Sequence, residues 1–168
     1  MINSRVRQNN GSCLSVRINI SEQMLYLYSD KKIIKFYPIS TSKYGIGNKT
    51  GSNKTPLGLH HIVSKIGRNA SFGAIFKRRK NTEKIAKINK GSGDLITTRI
   101  LRLEGLQRGI NKGKDIDSFR RCIYVHGTPE EKLIGKPASH GCIRMKNRDI
   151  IKLYGLVKRG TLVEINYK

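Results

Sequence analysis

A mostly-β domain is the fold class this sequence predicts: a sandwich or partial barrel with one or two short helices. Three observations carry the prediction. Several short segments alternate apolar and polar residues at the period of a strand. Loop-forming Gly, Ser, Asn and Asp separate them. One stretch alone, near the C-terminus, carries an apolar face at helical spacing.

Residues 1–12 read as a disordered arm, and 13–168 as one domain. At 168 residues the chain suits a single core. Residues 14–20 alternate cleanly, with Leu14, Val16, Ile18 and Ile20 on one side. Residues 24–28 and 33–37 follow, and the polar link Ser29-Asp30-Lys31-Lys32 predicts a hairpin between them. Residues 42–55 are rich in Gly, Ser, Asn and Lys and read as an exposed loop, after which 59–66 forms the next strand. Residues 67–94 hold Lys77-Arg78-Arg79-Lys80 and Gly91-Ser92-Gly93, and read as a mobile basic excursion placed to cover a groove. β-Branched Ile96-Thr97-Thr98 starts a strand over 95–103, and 105–118 is loop. The apolar run 121–125 is a strand that delivers His126 at its end. Asn147 is the expected N-cap of the helix, whose face is Ile150, Ile151, Leu153, Tyr154 and Val157. Lys158, Arg159 and Gly160 suit its C-terminal end.

Charge is the outstanding feature of the composition. Lys and Arg number 34 against 11 acids, a net +23. That field favours polyanions: nucleic acid, anionic lipid or anionic polymer. A solvated basic surface that aids solubility accounts for it equally well. Specific nucleic-acid recognition is not expected, because no helix-turn-helix, zinc finger or set of aromatic platforms accompanies the charge. The polar stretch 1–10 lacks the apolar region of a Sec signal peptide, and no window approaches a transmembrane helix. Three cysteines give no complete disulfide framework. His60 and His61 are adjacent, so a strand would point them to opposite faces, and they make a poor metal site.

The chemistry concentrates near the C-terminus, in Ser139-His140-Gly141-Cys142-Ile143-Arg144-Met145 and in the upstream Val125-His126-Gly127-Thr128. Cysteine catalysis needs a thiolate, a group to take its proton, and donors for an oxyanion. Cys142 can be the nucleophile, and His126 or His140 the base. Gly141 lets backbone N–H groups approach a substrate carbonyl. Tyr124 shares a strand side with His126 and can line the same cleft. Arg144 can fix a substrate carboxylate with its planar fork, or hold the loop through an ion pair. Ser139 can hold the turn by hydrogen bonding. Cys13 and Cys122 read as small buried apolar residues. The pattern predicts acyl transfer through a thioester, with no metal and no cofactor.

The Ser139-His140-Gly141-Cys142 motif after His126-Gly127 resembles the signature of the L,D-transpeptidases, the YkuD-type catalytic domain of bacterial cell-wall enzymes. Tyr37-Pro38-Ile39-Ser40-Thr41, Thr55-Pro56-Leu57-Gly58 and Ile134-Gly135-Lys136-Pro137-Ala138 resemble its earlier landmarks. Leu153-Tyr154 and the stretch 160–165 resemble its closing helix and strand. The resemblance implies that Cys142 attacks a carbonyl of a peptidoglycan stem peptide, at an L-centre, and expels the terminal D-alanine. An amine acceptor then resolves the thioester. It implies His126 as base, the Gly127 carbonyl as its orienting group, and backbone donors from His140, Gly141 and Cys142. It also implies action in the cell envelope, on stem peptides as partners; the charge adds anionic wall polymer or a membrane surface as a partner for the basic face, and the chain is expected to be a monomer. Two other readings stand beside it: an L,D-carboxypeptidase in which water resolves the thioester, and a basic polyanion-binding protein.

Overall fold

In the computed structural model, residues 13–91 and 93–168 are described; the arm expected over 1–12 lies outside them. Among the described residues, ten strands form one sheet. They are β1 (Leu14–Asn19), β2 (Met24–Ser29), β3 (Lys32–Ser40), β4 (Gly58–Ile66), β5 (Ala74–Lys77), β6 (Lys80–Ile85), β7 (Ile96–Gly105), β8 (Tyr124–Gly127), β9 (Ile143–Met145) and β10 (Leu162–Asn166). The single α-helix among the described residues, α1, spans Asn147–Leu156.

The spatial order is β4-β10-β1-β2-β3-β9-β8-β7, and β7 also pairs with β4, so these strands close into a barrel-like ring. Closure removes the exposed edges that an open sheet leaves. The hairpin β5–β6 attaches to the start of β7, at Ile75↔Thr97 and Phe76↔Ile96. Parallel pairing occurs at β1–β10 and β8–β9 and the other ladders are antiparallel.

Alternation along the strands decides what is inside. Val16 and Ile18 of β1 enter the main core, while Arg17 between them pairs with Glu164 of β10 at 2.9 Å. The predicted β2–β3 hairpin forms, with Asp30 at φ 55° in its turn and its carboxylate accepting the Cys13 N–H at 3.0 Å. β8 is buried on both faces. Val125 packs with Ile143 and Met145 in the main core, while Tyr124 joins Ala74, Phe76 and Ile100 in a smaller cluster on the other side. Ile150 and Leu153 of α1 close one side of the main core.

Several expectations need correction. Asn147 is the first residue of α1 and Lys146 the N-cap. The Asn147 side chain serves as a buried junction: its oxygen accepts the hydroxyls of Thr97 (2.6 Å) and Thr98, and its nitrogen donates to Thr128 O (2.8 Å) and Glu131 Oε1 (2.8 Å). Glu131 also accepts the Asn147 backbone N–H, so the acid supplies the cap from outside the helix. The segment 67–94 is no featureless excursion, because it contains the β5–β6 hairpin. The loop 42–55 is not wholly exposed: Ser42 and Thr55 are buried. Cys13 is exposed, held at the surface by its turn with Asp30. β7 runs to Gly105, past the predicted end, and residues 121–122 belong to a turn before β8.

Candidate active site

Parallel pairing of β8 with β9 builds the site. Their register is Val125↔Ile143, His126↔Arg144 and Gly127↔Met145. Partners in register share a face, and successive residues alternate. With Val125 and Ile143 in the main core, His126 and Arg144 must face the other way. Continuing the register one residue back sets Cys142 beside Tyr124 on that same face. Cys142 and Cys122 pack against the cluster of Tyr124 and Ile100.

The His126 ring is buried, and its Nδ1 lies 2.8 Å from Gly127 O. A carbonyl only accepts, so the proton sits on Nδ1 and the lone pair on Nε2. Burial pushes the imidazole below its ordinary range, while the Gly127 bond and the Asp94 charge pull it up and Arg144 pushes it down. Gly127 itself must be glycine, since a Cβ there would lie 2.6 Å from Thr97 O.

Cys142 is half-buried, with its thiol donating to Cys122 O at 3.4 Å. Burial pushes that thiol up to about 12, and a hydrogen bond from the Tyr124 backbone only partly offsets it. Burial thus pushes the thiol and the imidazole alike toward their neutral forms. The loop before the cysteine is fixed by Ser139, whose hydroxyl donates to Cys142 O at 2.6 Å and accepts the Gly141 N–H at 3.2 Å. Gly141 sits at φ 123°, where an added Cβ would lie 3.3 Å from Lys54 O and 3.6 Å from Asn53 O. Its own carbonyl accepts the buried Thr55 hydroxyl at 3.1 Å.

The two charged residues of the motif meet one acid. Asp94 accepts from His140 Nδ1 at 2.5 Å and from Arg144 Nε at 2.8 Å. Arg144 is 1% exposed and gives its remaining face to Glu130 at 3.0 Å. Its fork is thus engaged inside the protein, which is the ion-pair alternative of the two expected for it. His140 keeps an exposed edge and a tilted contact with the Tyr44 ring, 5.7 Å between centroids.

Sequence reasoning missed four contributors. Asp94 is one of two acids in the basic segment 67–94, and nothing beside it marks a role. Arg121 reaches across to the carbonyls of Gly47 (3.1 Å), Asn48 (2.9 Å) and Lys54 (2.5 Å), fastening the loop that supports Gly141. Thr55 was visible only within a family landmark. Arg79 comes from the hairpin tip, where Lys77↔Lys80 pairing leaves Arg78 (φ 49°) and Arg79 (φ 67°) as a two-residue turn. Such turns favour Asn and Gly. Arg79 Nη1 donates to Tyr124 Oη at 3.1 Å and lies 3.9 Å from Cys122 Sγ. The basic run lies far from the cysteine in sequence, yet its tip adjoins Tyr124 on the site's face.

The family model for the L,D-transpeptidase catalytic domain (YkuD) matches residues 15–165. A putative L,D-transpeptidase, YkuD, of Bacillus subtilis strain 168 is 52% identical over 42 residues, 25% of this chain and 26% of that protein. A probable L,D-transpeptidase, YcfS, of Escherichia coli K12 is 29% identical over 154 residues, covering 88% of this chain and 42% of that protein. The chain thus spans less than half the length of these curated relatives. Among solved structures, L,D-transpeptidase 3 from Mycobacterium tuberculosis with a faropenem-derived adduct aligns at TM-score 0.57 and 16% identity, over 93% of this chain and 61% of that one.

Proposed function

The chain belongs to the L,D-transpeptidase catalytic-domain (YkuD) family, and from that premise we propose a cysteine-dependent acyl transfer on peptidoglycan stem peptides in the cell envelope. The observation that carries the reading is the His126 ring. Its Nδ1 is tied to Gly127 O at 2.8 Å, so Nε2 is left as acceptor on the strand face that Cys142 shares.

As the donor carbonyl arrives, His126 Nε2 takes the Cys142 proton and the sulfur attacks the carbonyl carbon. Transfer of the proton during attack suits a pair that rests neutral, because burial disfavours a standing thiolate–imidazolium pair. The tetrahedral oxyanion needs donors. The Gly141 amide is given to Ser139, so the amides of His140 and Cys142 are the donors assigned here. Collapse breaks the bond to the terminal D-alanine, whose nitrogen receives the proton from His126, leaving a thioester. An amine of a second stem then gives up a proton to His126, attacks the thioester and releases the thiol. Ser139, Gly141 and Thr55 keep the donor loop in shape, and Asp94 with Arg144 anchors it from behind.

Incubating the protein with a disaccharide tetrapeptide, with and without a second amine, tests this. Dimer or an exchanged amino acid is the expected product, and tripeptide alone would assign hydrolysis instead. A carbapenem should add its mass to the Cys142 peptide. Recovery of the adduct on Cys13 or Cys122 would refute the assignment of the nucleophile.

A further inference from the structure

A second concave surface has no part in the chemistry above. It is a cavity of about 540 Å³ lined by Lys65 of β4, Arg68, Arg99 of β7, Tyr154 of α1 and Arg159. None of its lining residues contributes to the Cys142 site. Lys65 Nζ donates to Tyr154 O (2.7 Å) and Val157 O (2.6 Å), the carbonyls that end α1, and lies 4.3 Å from the Tyr154 ring centroid. Arg99 lies 5.7 Å from the same ring and gives Nη1 to Ala70 O and Thr98 O. Arg159 gives only Nε, to Val63 O at 3.0 Å, so its terminal nitrogens remain available.

Among the described residues, no acid lines the cavity and none of its four cations is in an ion pair. Burial and the neighbouring Arg68 both push the Lys65 ammonium below its ordinary range. Folding therefore gathers like charges here at a cost, without a protein counter-charge. Carbonyls and the Tyr154 ring offset part of that cost at Lys65 and Arg99, while the missing counter-charge and the terminal nitrogens of Arg159 point to an anionic ligand.

We propose that this cavity binds a soluble polyanion bearing more than one phosphate, a phosphodiester chain of anionic wall polymer being the source that fits. Arginine forks match phosphate oxygens. Several cations around one groove match successive phosphates better than a single one. A lipid surface fits less well, since none of the large exposed apolar side chains lines the cavity. The choice of wall polymer as the source rests on the envelope reading above, whereas the polyanion site does not, because binding can be measured on Cys142→Ser.

The experiment is calorimetric titration of the Cys142→Ser chain with inorganic tripolyphosphate, at a salt of about 0.15 M. A poly(glycerol phosphate) chain and vesicles of anionic phospholipid are tested in parallel. Saturable binding of tripolyphosphate and of the chain is expected. Arg68→Gln with Arg159→Gln should weaken both by roughly tenfold or more, the size of losing charge-assisted contacts. Lys32→Gln with Lys35→Gln, which removes equal charge from exposed positions on β3, should leave binding within about twofold. Equal weakening by both pairs would reduce the site to diffuse charge and overturn the proposal. So would binding to vesicles with none to the soluble polyanions, and so would the absence of saturation.

Discussion

Arg144 Nη2 lies 2.6 Å from Asp94 Oδ1, which ties the strand after the cysteine to the end of the basic segment 50 residues earlier. Arg144 is 1% exposed, so this charge is affordable only while its acids stay ionised. Burial acts to raise the Asp94 carboxyl. The His140 hydrogen bond and the Arg144 charge outweigh it and hold the carboxyl below the usual carboxylate range. Such a group contributes stability above its unfolded pKa, about 3.9, and loses it as pH falls through the lower folded value. Asp94→Asn should therefore cost roughly 3 kcal/mol at neutral pH, since Glu130 alone remains for the buried guanidinium. In urea melts the gap from wild type should narrow below about pH 4. A gap that is constant with pH would show that the charge is not what Asp94 supplies.

Cys142→Ser should abolish turnover, and Cys13→Ser should leave it intact because Cys13 is exposed on the β1–β2 side. Cys122 is a sharper test, since it adjoins the site. The Cys142 thiol bonds to the Cys122 backbone carbonyl, not to its side chain. Cys122→Ser should thus retain most activity. A collapse of activity in that variant, with the fold intact by circular dichroism, would mean that the Cys122 sulfur itself matters.

Much of this arrangement was legible in the sequence, for a physical reason. Strand periodicity is local, and Leu14 to Ile18 or Tyr124 to His126 state their faces without reference to anything distant. Motif spacing fixed Cys142, His126 and Gly127 together. What stayed hidden was set by tertiary pairing. Nothing near Asp94 says that it will meet His140 and Arg144. Nothing in Arg78-Arg79 announces a two-residue turn normally built from Asn and Gly, so the hairpin read as loop. Asn147 looked like a cap because its residue type favours one, yet four groups from β7 and the 128–131 turn claim its side chain.

His126→Ala should slow acylation by roughly 10²–10⁴-fold, the usual worth of general acid–base catalysis. His140→Ala should cost far less, because its ring edge is exposed and its partner is Asp94. The pH profile separates base from scaffold. Burial lowers the His126 pKa from its ordinary value of about 6.5, so the imidazole stays neutral until pH falls through that lower value. The acid limb of kcat/KM should have its midpoint below pH 6.5. A midpoint above it, or a profile unchanged in His126→Ala, would remove His126 from the role.

The thiol gives the complementary alkaline signature. With Cys142 pushed up to about 12 by burial, alkylation by neutral iodoacetamide should be slow at pH 7 and keep rising beyond pH 9. The rate follows the thiolate fraction, which grows until the pKa is passed. The His126→Ala protein should show the same alkaline rise, because the thiolate there forms by simple ionisation. A plateau near neutrality in the wild type, lost in His126→Ala, would indicate a standing thiolate–imidazolium pair.

Gly141 joins backbone geometry to the reaction. At φ 123° with a Cβ contact of 3.3 Å to Lys54 O, alanine there is strained by conformation and crowded by backbone. Gly141→Ala should cost about 1–3 kcal/mol of stability. It should also lower kcat more than it raises KM, since the His140 and Cys142 amides would tilt away from the oxyanion. Loss of stability with unchanged kcat would show that the loop shape is not used in catalysis.

Arg79 decides what the basic hairpin is for. Its guanidinium keeps three N–H donors beyond those given to Tyr124 and to the Cys122 sulfur, and it stands at a strained turn position on the site's face. Strain of that kind persists where function needs it. Arg79→Ala should lower kcat/KM for a small soluble acyl donor by about tenfold, the cost of one charge-assisted contact. A share in donor binding predicts that KM carries more of the loss than kcat. Lys77→Ser with Lys80→Ser, which removes twice the charge from the same hairpin, should leave those constants near wild type. Raising salt should likewise change little, since exposed charges beyond about 8 Å are screened. If the Lys pair and Arg79 variants lose activity alike, and both losses vanish at high salt, the hairpin acts only through its net field, and the contact between Arg79 and Tyr124 has no specific share in substrate binding.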